Sequence, residues 1–163
     1  MTQSEHIQSV WQQYECEHNH LPASGRTLAE WGVGQGLFLL PDIDPLDILA
    51  GQVSRALRED YGTDPKGRRY RRNHAIRVSK DGVQFTMWGM MDFAPQAHME
   101  MAFTQRREQI VGDCFQLKTD VDVYNDKNPG QPVIQLEHNF TEDVAEREII
   151  EYDEEHEEFE NRL

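Results

Sequence analysis

The sequence is poor in cysteine, in basic residues and in long hydrophobic runs, and each shortage excludes a class of protein. Two cysteines among 163 residues are too few for a disulfide scaffold, and reduced thiols are the usual state of cysteine in the cytosol. No apolar run approaches the roughly 20 residues that span a bilayer. The first residues show no basic stretch followed by an apolar one, so no secretory signal is expected. We therefore expect a cytoplasmic protein that does not enter a membrane.

Charge is unbalanced in the chain as a whole and is separated along it. Thirty acidic residues stand against 16 basic ones, and the formal net charge of -14 argues against nonspecific nucleic-acid binding by the whole chain, because phosphate repels it. Residues 55–80 nevertheless contain nine bases and three acids, whereas residues 137–163 contain twelve acids and two bases. This separation is the most informative feature of the composition.

Hydrophobic periodicity predicts an α+β fold, a mostly helical single domain with one β-hairpin. Asp81-Gly82 is a favoured two-residue type I′ turn, and it predicts hairpin strands at about 70–79 and 83–89. The same turn sets the register, pairing Val78 with Phe85 and placing the apolar side chains of both strands on one face. We expect this face to pack on a long helix at about 95–124. Residues 1–140 form the expected globular domain, and residues 141–163 form an acidic C-terminal helix or tail.

The long helix carries an apolar stripe at heptad-like spacing, with Arg107 in one of its positions. The stripe consists of Phe103, Ile110, Cys114, Leu117, Val121 and Tyr124. It is longer than one hairpin can cover, so we expect part of it to pair with another helix or with a second copy of the chain. Residues 133–136 are interpreted as a short strand. The last helix is expected to begin at Thr141 and to dock near residues 66–77, where the charge is opposite.

The basic segment before the hairpin is the main candidate binding site. Arginines interleaved with a tyrosine, an asparagine and a histidine suit contacts to phosphate or carboxylate groups, with stacking on an aromatic ring. Four interpretations remain open for it: contact with an acidic partner protein, with a nucleic acid or with the acidic C-terminal segment of the same chain, and a solvated surface without a partner. The candidate binding residues are Arg68, Arg69, Tyr70, Arg71, Arg72, His74, Arg77 and Trp88.

Candidate metal and catalytic motifs are weak, and no catalytic residue, metal site or cofactor is assigned. Cys16, His18 and His20 supply three ligand types within five residues, but structural zinc takes four ligands and no partner pair exists. The sequence leaves open whether they ever bind a metal. A nuclease would need clustered acids beside a lysine, for which the long helix offers Asp113, Asp120 and Lys118. We prefer to interpret those three as a solvated helix face.

Glycines at 32, 34 and 36 interrupt the chain after a short predicted helix. A glycine-rich loop cradles phosphate when it lies between a strand and a helix. Here a helix precedes the glycines, so we interpret the segment as a loop that needs positive φ angles.

Two stretches of the chain, 67–78 (GRRYRRNHAIRV) and 105–126 (QRREQIVGDCFQLKTDVDVYND), resemble uncharacterised bacterial proteins. The resemblance covers about residues 45–147. It implies a bacterial or mobile-element origin, and it implies no activity and no functional residue.

Three functions from different classes are consistent with these features. The first is a non-enzymatic interaction or regulatory protein whose Arg-rich segment engages an acidic partner or a nucleic acid. The second is an acidic inhibitor from a mobile element that mimics nucleic acid. The third is a small metal-dependent nuclease. We favour the first function over an enzyme.

Overall fold

The computed structural model describes the backbone of residues 1–160 and the side chains of residues 1–151. It confirms the predicted fold class, because helices dominate and the strands form two small antiparallel sheets. The chain divides into two compact units, Met1–Gly51 and Gln52–Leu163. The helices of the first part of the chain are α1 (Gln3–Glu17), α2 (Gly25–Gly34) and α3 (Pro45–Glu59), and the boundary between the units falls within α3.

The first unit is built around one aromatic cluster between α1 and α2. Tyr14 is buried on α1, stacks on the ring of His18 at a centroid distance of 3.9 Å and meets the edge of Trp31 on α2 at 5.3 Å. Gly32 is buried because the ring of Phe38 lies against it, and a Cβ atom there would come within 2.3 Å of that ring. A glycine at this position therefore allows the Phe38 ring to pack directly against the backbone of α2.

Local capping rules fix where the helices of this part begin. Thr2 and Glu5 form a capping box at the start of α1, and the Ser24 hydroxyl accepts a hydrogen bond from the backbone of Thr27 at the start of α2. Asp44 accepts from the backbone N–H of Leu46 and precedes the proline that opens α3. Side chains close in the sequence thus set the start of each of these three helices.

The second unit contains a short hairpin that the sequence analysis did not predict. β1 (Tyr61–Thr63) pairs antiparallel with β2 (Arg69–Arg71) across a turn at residues 64–67. The Asp64 carboxylate organises this turn by accepting from the backbone N–H groups of Lys66 and Arg68. The main hairpin therefore begins later than predicted, because residues 69–71 are paired with β1.

The main hairpin consists of β3 (Asn73–Lys80) and β4 (Val83–Met90), and its predicted register is confirmed. Val78 pairs with Phe85 across the strands. The turn residues Asp81 and Gly82 both have positive φ, at 53° and 75°, as a type I′ turn requires. Successive side chains alternate between faces, so one face of this hairpin is polar and the other is apolar.

A long helix, α4 (Gln96–Lys127), packs against β3, as predicted. The side-chain amide of Gln105 bonds to both backbone groups of Arg77: its Oε1 accepts from the N–H at 2.7 Å, and its Nε2 donates to the C=O at 2.9 Å. One turn from the start of the helix, the Nε2 atom of His98 bonds to the backbone carbonyl of His74 at 2.9 Å. Polar side chains of α4 thus satisfy backbone groups of β3.

The apolar face of the hairpin and the facing part of α4 are only partly buried by this packing. The side chains of Phe85 and Met87 remain 48% and 53% exposed, and Phe103 and Ile110 on α4 are 48% and 51% exposed. Ile76 and Val78 on β3 are half-buried. The predicted packing of the hairpin on the long helix is thus confirmed, and it leaves part of the apolar face exposed.

The C-terminal part of the chain differs from one further expectation. Residues 133–136 form no strand, because the Asn125 side chain bonds to both backbone groups of Ile134 and holds the segment against the end of α4. The last helix, α5 (Thr141–Glu160), begins where predicted. Within the side chains described, up to residue 151, no ion pair joins its acidic residues to the basic segment.

We expect Gln105→Ala to lower the free energy of unfolding by about 1–3 kcal/mol, because two hydrogen bonds to β3 are lost and each contributes about 0.5–1.5 kcal/mol. Urea unfolding followed by circular dichroism measures the change. Gln109→Ala, one turn further along α4, is the matched control, since Gln109 makes no hydrogen bond among the described residues. Equal stability of the two variants would contradict the role given to Gln105.

Candidate anion-binding groove

The polar face of the main hairpin and the adjacent side of α4 enclose an open groove of about 950 Å³. The alternation of β3 and the register with β4 place Ala75, Arg77, Thr86 and Trp88 on this face. Four arginines, a tryptophan and several amide side chains converge on the groove. Its lining consists of Arg58, Arg71, Asn73, Ala75, Arg77, Gln84, Thr86, Trp88, Ala102, Thr104, Gln105, Arg106, Glu108, Gln109, Ile110 and Asp113.

The side chains of the groove arginines make few polar contacts with other described residues. Arg58, Arg71, Arg77 and Arg106 form no ion pair with any carboxylate among the side chains described. Arg58 lies over the ring of Trp88, with its guanidinium carbon 5.8 Å from the ring centroid. Such a contact orients the guanidinium group while its N–H donors stay available.

Two carboxylates, Glu108 and Asp113, also line the groove, from the α4 side. The groove therefore combines four positive side chains with two negative ones. A continuous polyanion would meet repulsion at these carboxylates, whereas a ligand with spaced negative charges and amide groups would not.

The structure brings three of the eight predicted binding residues into this groove: Arg71, Arg77 and Trp88. Arg71 also donates from Nε to the hydroxyl of Tyr61 at 3.3 Å, which holds the side chain over β1. The remaining five residues lie outside the groove lining and contact other residues of the chain.

Three of those five are arginines that stabilise the short β1–β2 hairpin. Arg68 forms an ion pair with Asp64, and its Nε atom donates to the Asp64 carboxylate at 2.7 Å. This hydrogen bond is the main reason that the pKa of the Asp64 carboxyl is lower than usual. Arg69 lies over the ring of Tyr61 at 4.1 Å, and Arg72 donates to the backbone carbonyl of the same tyrosine at 3.3 Å.

Tyr70 and His74 are the other two, and both take part in packing. The ring of Tyr70 lies against Gly62, where a Cβ atom would come within 3.0 Å of it. His74 is buried, bonds through Nε2 to the carbonyl of Arg71 at 2.9 Å and meets the ring of Phe103 at a centroid distance of 5.2 Å. Burial lowers the pKa of the His74 imidazole, and the nearby Arg106 and Arg71 charges act in the same direction.

Sequence reasoning missed Arg58 and Arg106 as groove residues. Arg58 belongs to the basic segment but lies on α3, and Arg106 lies on α4, far from that segment in the sequence. Only the packing of α4 against β3 brings them together. The signal available was the pair Arg106-Arg107, two adjacent bases in a helix that is otherwise rich in acids.

The metal and catalytic candidates are not assembled into sites. His18 stacks on Tyr14 and bonds to its backbone carbonyl, and His20 bonds to the Glu15 carboxylate at 3.0 Å. Lys118 donates to Asp122 at 2.6 Å, and Asp120 accepts from Gln116. Within the part of the chain that the structure describes, no group of three or more histidine, cysteine or acidic side chains is placed to hold a metal ion.

The described helices include none with the length and apolar character needed to cross a membrane.

The buried imidazole of His74 predicts a loss of stability in mild acid. Because the pKa of His74 is lower in the folded protein, the unfolded chain binds the proton more readily, and the free energy of unfolding falls as the pH drops below about 6.5. The measurement is urea unfolding between pH 5 and pH 8 for the native chain and for His74→Gln. We expect a smaller pH dependence in the variant, and equal pH dependence in both proteins would contradict the assignment.

A comparison of the chain with protein-family models, with curated proteins and with solved structures found no match.

Proposed function

We propose that this protein is a non-enzymatic binding protein whose groove holds an acidic segment of a partner protein. The observation that carries this proposal is the convergence of four arginines without ion-pair partners, within the described residues, around the half-buried Trp88. Arginine presents several N–H donors in a planar fork that matches a carboxylate, and the tryptophan ring adds apolar contact area.

The shape and hydrogen-bonding groups of the groove support an extended peptide as the ligand. Each hairpin strand has eight residues and is therefore about 27 Å long, which suits a ligand of similar extended length. The side-chain amides of Gln84 and Gln109 line the same groove and can bond to a peptide backbone.

Electrostatics favour a protein ligand over a nucleic acid. The chain as a whole carries a net charge of -14, which opposes the approach of a polyphosphate. Glu108 and Asp113 add negative charge within the groove, where they would also repel a polyphosphate. An acidic peptide with spaced carboxylates can place its charges against the arginines and its neutral residues against these two acids.

The nuclease and nucleic-acid-mimic functions have less support. The candidate nuclease residues Lys118 and Asp120 are engaged in contacts within α4, and Asp113 faces the groove. The acidic C-terminal segment suits a mimic by composition alone, and only its part up to residue 151 has described side chains. We place the binding protein in the cytoplasm, since both cysteines are free thiols in the structure.

We expect the double variant Arg77→Ala/Arg106→Ala to bind an acidic peptide about 10–100-fold more weakly than the native chain, because two charge-assisted hydrogen bonds are removed. Fluorescence anisotropy measures binding of a labelled ten-residue peptide that alternates glutamate with serine, at low salt and at about 0.2 M salt. Affinity should fall with added salt, since a Debye length of about 7–10 Å screens exposed charges.

The matched control is Arg26→Ala/Lys80→Ala, which changes the net charge equally at two positions outside the groove. It should bind the peptide as the native chain does. Equal weakening by the two double variants would contradict the groove as the site. Tighter binding of a single-stranded ten-nucleotide DNA than of the peptide would instead favour a nucleic-acid partner.

A further inference from the structure

An apolar stripe runs along α4 and is open along its length. Its large side chains are each about half exposed: Phe103 at 48%, Ile110 at 51%, Leu117 at 44% and Tyr124 at 48%. Cys114 and Val121 between them are half-buried. We call these six residues the α4 stripe.

The buried side chains of α4 all lie in the first third of the helix. Met99 and Ala102 are its two buried residues, and after Ala102 no described residue of the helix is buried. A helix of 32 residues is about 48 Å long, and such helices depend on tertiary packing more than on helix propensity. The remaining two-thirds has little of that packing beyond the bonds between Asn125 and Ile134 at its end.

The α4 stripe continues onto the apolar face of the main hairpin. His74 meets Phe103 at one end of the stripe, and alternation along β3 places Ile76 and Val78 on the same face as His74. Their partners across the hairpin are Met87 and Phe85, which are 53% and 48% exposed. Hairpin and helix thus offer one continuous apolar surface, which borders the groove at Ile110.

The size of this surface matches a protein–protein interface. The four exposed residues of the stripe, together with Phe85 and Met87, each expose about half of the roughly 200 Å² of a large side chain, which gives about 600 Å² of apolar area. A standard interface buries about 800 Å² on each partner, including a polar rim. The flanking polar residues of α4 can supply that rim.

We propose that a second copy of the chain covers this surface and that the two α4 helices pair antiparallel. Charge along α4 supports this direction. Its first half contains two acids and two bases (Glu100, Glu108, Arg106 and Arg107) and is neutral, whereas its second half contains four aspartates and two lysines: Asp113, Asp120, Asp122, Asp126, Lys118 and Lys127. Parallel pairing in register would set the two acidic halves against each other, and antiparallel pairing sets each acidic half against a neutral one.

Arg107 gives a second reason for the antiparallel direction, because it occupies a heptad position of the stripe. Parallel pairing in register would place the two Arg107 side chains against each other at the interface, where like charges repel. Antiparallel pairing with Phe103 of one copy against Tyr124 of the other separates them and sets each Arg107 near Asp120 of the other helix, where the charges are opposite. This interface shares Ile110 with the lining of the groove, and its test measures the oligomeric state without a groove ligand.

Sedimentation of the full chain between 5 and 100 µM tests the proposal. We expect the native chain to be a dimer at the upper concentrations, and Ile110→Glu/Leu117→Glu to be a monomer with a dissociation constant raised at least 100-fold. Val111→Glu/Phe115→Glu is the matched control on a different side of α4, where the replaced side chains are 47% and 72% exposed. It should remain a dimer.

A monomeric native chain at 100 µM would overturn the proposal, and so would a control that dissociates while the stripe variant stays dimeric. This result on the native chain decides the matter even if the stripe variant loses helicity by circular dichroism.

Cysteine crosslinking in a Cys16→Ser/Cys114→Ser background tests the direction. We expect a mixture of Phe103→Cys and Tyr124→Cys chains to form mixed crosslinks with a short bismaleimide, and neither chain to crosslink efficiently with itself. Efficient self-crosslinking of each chain alone would show parallel pairing and overturn the antiparallel assignment.

Discussion

The second unit depends on the hydrogen bonds that side chains of α4 form with the backbone of β3. In a two-stranded sheet both strands are edges, and each edge carries backbone groups that need partners. Gln105 meets this need at Arg77 with both atoms of its amide, and His98 contacts the backbone of His74. A helix held in this way leaves much of both faces of the hairpin exposed, and the properties of the unit follow from that arrangement.

The two uncovered faces differ in chemistry because side chains alternate along a strand. The polar face forms the groove with α4, and its arginines come from α3, β2, β3 and α4. The apolar face continues into the α4 stripe through the contact between His74 and Phe103. The two faces of one small hairpin thus present different chemistry, and Ile110 on α4 belongs both to the lining of the groove and to the α4 stripe.

The basic segment illustrates why a cluster of like charges in a sequence is not yet a binding site. Arg68 forms an ion pair with Asp64, and Arg72 forms one with Asp60. These pairs stabilise the β1–β2 hairpin and the residue that follows it. Arg71 and Arg77 project towards the groove instead. Neighbouring arginines thus divide between internal pairing and the groove according to which acidic and aromatic groups of the β1–β2 hairpin lie within their reach.

The sequence by itself determined the local structure of this protein. Asp44-Pro45 starts α3 because of capping and a preset φ angle, and Asp81-Gly82 fixes the hairpin register because its turn type requires two positive φ angles. These features depend on residues close in the chain. Only the tertiary structure decided that α4 packs along β3, that Arg58 and Arg106 join the groove and that residues 133–136 are held by Asn125. Those contacts join residues far apart in the chain, and their geometry is set by which backbone groups remain unpaired after the local elements form.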